Sequence, residues 1–150
     1  MSDPRDDLRP GESAVEAPAP SDAVLRFIGR IETPWTTRNE CPHHGDPVAG
    51  PVCKVIVDDL WGDALTGIER HSHLQILYWM FQARRDLVLL SPRARPEPTG
   101  TFSLRAPTRP NPIASSIVAL VERQGSVLLV RGLDCIAGTP LLDIKSSQAK

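Results

Sequence analysis

The 150-residue chain has few cysteines, no long apolar run and none of the common nucleotide or hydrolase signatures. Each absence removes a class of protein. The three cysteines, Cys41, Cys53 and Cys135, are odd in number and far apart. That argues against a disulfide framework and for reduced thiols in a cytoplasmic protein. No apolar stretch approaches the ~18 residues of a membrane span, so no membrane association is expected. The opening MSDPRDDLRPGESAVEAPAPSD lacks the apolar core of a secretory signal. Neither G-x-G-x-x-G nor G-x-x-x-x-G-K-[ST] occurs, which removes the usual Gly-rich phosphate loops. G-x-S-x-G is missing too, and with it the nucleophile elbow of the α/β-hydrolases. A formal net charge of −1 gives no whole-chain case for a nucleic-acid binder.

What is present is an ordinary globular balance, 41% apolar and 23% charged, enough to fill one core. Proline is the exception: 15 residues, about twice the usual share. The prolines gather in the first 20 residues and in the window 92–112. Charge is also uneven. Residues 1–23 set Arg5 and Arg9 against Asp3, Asp6, Asp7, Glu12, Glu16 and Asp22. With little to bury, residues 1–22 read as a disordered acidic, proline-rich tail. Residues 84–109 set Arg84, Arg85, Arg93, Arg95, Arg105 and Arg109 against only Asp86 and Glu97. That local excess permits an anionic partner there, although a solvated arginine-rich loop explains it equally well.

From residue 24 to 146 the pattern is one β domain. VLRFIGRI (24–31), VCKVIV (52–57), HLQILYWMF (73–81), LVLL (87–90), TFSLR (101–105), SSIVALVE (115–122), SVLLVRGL (126–133) and PLLDIK (140–145) read as strands. DDLWGDALTGI (58–68) suggests one or two helical turns capped by Asp58 or Asp59 and stopped by Gly67. The turn at Gln124-Gly125 joins two strands as a hairpin. Seven or eight short strands with one short helix, and no strand–helix alternation, predict a mostly all-β antiparallel barrel or sandwich. The loop 32–51 is long for a compact domain, and such loops tend to be functional or mobile.

Among the chemistry-bearing residues, Cys41, His43, His44 and Cys53 invite a zinc reading, but the spacing offers no close thiol pair, so no metal is expected. Asp134 and Asp143 sit at or near strand ends. Each is a solvated turn residue or, facing a barrel mouth, a cation ligand or base. The segment GTFSLRAPTRPNPIASS (100–116) places Arg105 and Arg109 beside a stiff run with few N–H donors. Such a run walls a pocket at low entropic cost, offering carbonyls and the Asn111 amide while an arginine clamps an anion. A plain edge loop accounts for it as well.

These pieces, IGRIETPW (28–35), CPHHG (41–45), LTGIERHSHLQILYWM (65–80), GTFSLRAPTRPNPIASS (100–116) and LDCIAGTPLLDIK (133–145), together resemble the TsaA-like family. Its best-understood members are the S-adenosylmethionine-dependent tRNA threonylcarbamoyladenosine N6-methyltransferases of the TrmO type. The resemblance spans residues 27–145. It implies a single antiparallel β-barrel unlike the Rossmann methyltransferases, a homodimer with the cofactor near the subunit interface, and tRNA position 37 as the methyl acceptor. An acceptor other than tRNA, or a non-catalytic S-adenosylmethionine sensor, is the alternative. Carried over by motif, Pro42, His43, His44, Phe81, Gln82 and Arg105 would contact the cofactor. Arg109, Pro110, Asn111, Pro112, Ile113 and Ser115 would line the methyl-transfer site, and Gly132, Asp134 and Ile136 would complete the adenosine pocket. Asn111 and Asp143 are the candidate catalytic residues. The chain departs from the family pattern at Ala114, where glycine is usual, at His71, where phenylalanine is usual, and in ending DIKSS rather than DIKPY. Longer members carry an additional C-terminal domain, which is not expected here. A positive φ at Ala114 would be strained.

Overall fold

A computed structural model describes residues 8–92 and 97–147. These form two compact units. The larger takes residues 25–79 and 114–147, the smaller 8–24, 80–92 and 97–113.

The larger unit is a closed barrel. Its strands are β2 (Gly29–Glu32), β3 (Val52–Val57), β4 (His73–Trp79), β7 (Ile113–Gln124), β8 (Val127–Arg131) and β9 (Thr139–Ser146). Their order around the barrel is β2-β3-β8-β7-β4-β9, and β9 closes on β2 by antiparallel pairing. Closure removes exposed sheet edges. Side chains alternate between the two faces of a strand. Accordingly Cys53, Val55 and Val57 of β3, Leu74, Ile76 and Tyr78 of β4, and Leu128 and Val130 of β8 point inward. Ile31, Val118 and Leu141 complete the core. Each fully buried aliphatic side chain contributes roughly 1.5–3 kcal/mol.

Six strands close the barrel, rather than seven or eight, because two of the expected segments do other work and a third is shorter than expected. β5 (Leu87–Leu90) belongs to the smaller unit, where it pairs with β1 (Ser13–Ala14) and β6 (Thr99–Gly100) in a three-stranded sheet. TFSLR is not a strand: Thr101–Ser103 is a 3₁₀ turn, with the Thr101 hydroxyl donating to the Leu87 carbonyl in place of a ladder bond. In 24–31 only Gly29 onward is strand, and Val24, Leu25 and Phe27 are exposed. Gly29 is required where β2 meets β3, since a Cβ there would lie 1.9 Å from the Ile56 carbonyl oxygen.

The helical turns expected at 58–68 are 3₁₀, Asp59–Leu65, followed by Gly67 at φ +85° and a second 3₁₀ turn at Ile68–Arg70. The hairpin joins β7 to β8 with Gly125 at φ +62°, the positive value a II′ turn takes at its first loop residue. Ala114 lies within β7, and no described non-glycine residue has a positive φ, so the missing family glycine costs no backbone strain.

Residues 8–15 differ from the disordered tail expected there. Ser13 and Ala14 pair with Leu89 and Leu87, and the Val15 amide donates to the Asp86 carbonyl. Glu12 accepts from the Ser91 and Arg9 amides, and Pro10 accepts from the Ser91 hydroxyl. Main-chain pairing needs no apolar side chains, so composition did not signal it. Residues 1–7, also assigned to that tail, lie outside the described residues. No helix among the described residues is long and apolar enough to cross a membrane.

Candidate functional site

In the barrel unit, three segments converge at one end of the sheet. The Thr33 hydroxyl donates to the Cys135 carbonyl at 2.7 Å, and the Ala137 and Gly138 amides donate to Trp35 and Ile31. These bonds fasten 132–138 to the end of β2. The loop 41–45 closes on the same segment, because Gly45 packs against Gly132. A Cβ on Gly45 would lie 1.8 Å from the Gly132 oxygen, so only glycine fits. Gly132 is itself at φ +121°. The long loop is built from local bonds rather than from a core. Glu40 accepts from the hydroxyls and amides of Thr36 and Thr37, which hold its carboxyl below the ordinary range. Asp46 accepts from the Val48 and Ala49 amides, and Arg131 donates to the Gly50 carbonyl.

This cluster gathers five of the sequence-predicted residues: Pro42, His43, His44, Gly132 and Asp134. The first three are exposed, and neither histidine has a hydrogen bond or ion pair among the described residues. Asp134 is half-buried and accepts from the Tyr78 hydroxyl at 2.7 Å. Ile136 is half-buried just beyond, its carbonyl taken by the Thr139 hydroxyl. Ser115, on β7, accepts from Gln75 at 2.8 Å. Tyr78, Gln75 and Ser116 escaped sequence reasoning. In an apolar strand a tyrosine reads as core, and only the bond at its tip says otherwise.

Burial, and to a smaller degree the Asp134 charge, raises the Cys41 thiol above its usual range, and burial pushes Cys135 up to about 12. All three cysteines are free, with Cys53 and Cys135 buried. A raised thiol stays protonated and unreactive through neutral pH. Iodoacetamide on the native protein at neutral pH is therefore expected to label Cys41 alone, and slowly. Cys53 and Cys135 should label only after denaturation, and mass spectrometry showing fast labelling of either in the native state contradicts the structure.

In the smaller unit, the proline run is held by two arginines. Arg109 donates to the Leu104 and Ala106 carbonyls, both at 2.9 Å. Arg85 donates to the Pro110 carbonyl at 2.7 Å and to the Asn111 side-chain oxygen. The Pro112 carbonyl accepts from the Met80 amide, which brings the run beside the turn carrying Phe81 and Gln82, both exposed. Pro112 is buried and Ile113 exposed. So Arg109, expected as a ligand contact, is occupied as a staple of its own loop. Arg105 is exposed with no hydrogen bond or ion pair among the described residues, which leaves its guanidinium available to an anion. Arg84 pairs with Asp86. Arg93 and Arg95 lie outside the described residues.

Asp143 stands apart. It is exposed on β9, its carboxyl bonded to the Ile144 amide and 3.6 Å from Lys145. It lines a cavity of about 260 Å³ with Trp61, Arg70 and His71, and none of the residues of the Asp134 cluster lines that cavity. The register shift between Leu77 and Tyr78 sets Asp143 opposite Leu77, while Tyr78 pairs with Leu141.

The chain matches the family described as the tRNA-methyltransferase O N-terminal domain over residues 30–149. A probable S-adenosyl-L-methionine-binding protein, VirR, of Rhizobium radiobacter is 49% identical over 95% of this chain and 81% of that protein. The human tRNA (adenine(37)-N6)-methyltransferase is 29% identical over 96% of this chain, but only 34% of that protein is covered. Among solved structures, TrmO from Pseudomonas aeruginosa superposes with a TM-score of 0.68 at 27% identity, over 85% of this chain and 56% of that one.

Proposed function

The chain belongs to the tRNA-methyltransferase O N-terminal-domain family, and from that premise we propose that it is an S-adenosylmethionine-dependent methyltransferase of N6 of adenine 37 in tRNA, acting on threonylcarbamoyladenosine. The observation that supports this reading most is the Gly45–Gly132 contact. It joins the segments 41–45 and 132–138, far apart in the chain, into one cluster that also carries the Asp134 carboxylate. S-adenosylmethionine supplies a methyl group on a sulfonium. Methyl transfer from that centre is an in-line displacement, so the residues act chiefly by positioning.

Roles follow from what each side chain has free. Arg105, without a hydrogen-bond or ion-pair partner among the described residues, takes the cofactor carboxylate. Asp134, acceptor-only and with one oxygen engaged, takes a donor or cationic group of the cofactor. The resemblance assigns Pro42, His43, His44, Gly132 and Ile136, and likewise Phe81 and Gln82, to the cofactor. It assigns Arg109, Pro110, Pro112, Ile113 and Ser115 to the methyl-transfer site. Asn111, whose side-chain oxygen is held by Arg85, keeps its amide N–H groups for the acceptor base. Asp143, in the separate cavity, is not carried into this reading. Exposed Ile117 and Val121 on β7 support a homodimer that covers them. Three free thiols support a cytoplasmic location.

The test is methylation of purified tRNA. With labelled S-adenosylmethionine, tRNA bearing threonylcarbamoyladenosine is expected to gain label at position 37, and the same tRNA without that modification is expected to gain none. Tight cofactor binding with no label on any tRNA would reject the enzyme reading in favour of a sensor.

A further inference from the structure

Tyr78 is the chain's single tyrosine. It sits inside the barrel, 2% exposed, among Leu74, Ile76 and Leu141. A phenol in a barrel core fills space as phenylalanine would, so its hydroxyl needs a reason. That hydroxyl lies 2.7 Å from the Ser116 hydroxyl and 2.7 Å from Asp134 Oδ1. Burial, reinforced by the Asp134 charge, drives the phenol far above its ordinary range, so it keeps its proton. A phenol has one proton to give. It goes to the carboxylate, and the Ser116 hydroxyl must then donate to the phenol oxygen. The result is a directed relay from Ser116 to Tyr78 to Asp134, in which each bond polarises the next.

The relay ends at one oxygen only. Asp134 Oδ2 has no hydrogen-bond partner among the described residues. A half-buried carboxylate with one oxygen fixed and one uncommitted is a pre-oriented acceptor.

We propose that Tyr78 is a positioning residue for cofactor binding: it fixes Asp134 so that the uncommitted oxygen is presented to S-adenosylmethionine bound against the 41–45 and 132–136 segments. This rests on the function proposed above. Ser116 orients the phenol, and Tyr78 stands opposite Leu141 of β9.

Tyr78→Phe removes one oxygen and leaves the ring that fills the core. Calorimetry on the full chain is expected to show S-adenosylmethionine affinity weakened on the order of tenfold, the scale of one hydrogen bond to a charged group. Asp134→Ala should weaken it at least as much. The double variant, Tyr78→Phe with Asp134→Ala, should bind no more weakly than Asp134→Ala alone, although its unfolding midpoint falls further. A merely structural tyrosine lowers the midpoint in both backgrounds and leaves affinity unchanged, and that result overturns the proposal. So does additivity of the two affinity losses. If Tyr78→Phe does not fold, Ser116→Ala is expected to give a smaller loss, about two- to threefold, and again none in the Asp134→Ala background. Failure of the unaltered protein to bind S-adenosylmethionine would instead reject the cofactor reading on which the proposal stands.

Discussion

Arg105→Ala is expected to weaken S-adenosylmethionine binding ten- to a hundredfold while leaving the unfolding midpoint in place. The two halves of that result come from the same observation. Arg105 is exposed and makes no hydrogen bond or ion pair among the described residues, so the fold loses little when it is truncated. Exposed positions without partners change stability by no more than about 0.5 kcal/mol. A guanidinium held for a carboxylate carries charge-assisted bonds, and each contributes about 1.5–3 kcal/mol, which sets the expected range. Calorimetry gives the affinity and a thermal melt gives the midpoint. Unchanged affinity removes Arg105 from the site, and a large fall in the midpoint would mean the side chain supports the fold.

Gly45→Ala should act on both quantities. A Cβ at this position would stand 1.8 Å from the Gly132 carbonyl oxygen, and the obstacle is backbone rather than a side chain that can swing aside. The loop must therefore lift from 132–136. Overpacking of this kind costs roughly 1–3 kcal/mol, or a fall of about 2–12 °C in the midpoint for a chain of this size. Cofactor affinity should fall by at least tenfold, since Pro42, His43 and His44 move with the loop. A variant that melts and binds as the unaltered protein does would show that the two glycines are not packed together.

How far the sequence disclosed this arrangement depended on the kind of interaction. β3 was legible in full, because VCKVIV is a short run dominated by β-branched residues. β7 and β8 were legible over most of their lengths for the same reason, with Gly125 marking the turn between them. Pairings made by the main chain alone left no such trace, and β1 was missed on that account. The arginines show a second limit. Arg105 and Arg109 are the same residue in the same proline-rich run, yet one is stapled to the Leu104 and Ala106 carbonyls and the other is not. Only the path of the loop separates them. The carboxylates divide likewise: Asp134, in the loop before β9, meets Tyr78 while Asp143, on β9 itself, lines a separate cavity, and no residue pattern announced that difference.

The short strand β1 bears on how this chain can vary. Ser13 and Ala14 hold their places through backbone pairing, so almost any side chain serves at either position, and drift there goes unpunished. Gly11 is the exception. Its φ is +85°, and a Cβ would come within 2.6 Å of Pro98 Cγ. With the Glu12 carboxylate, which accepts from the Ser91 and Arg9 amides, this glycine carries the segment's memory at the level of residues, and the family match, which begins at residue 30, starts well after it.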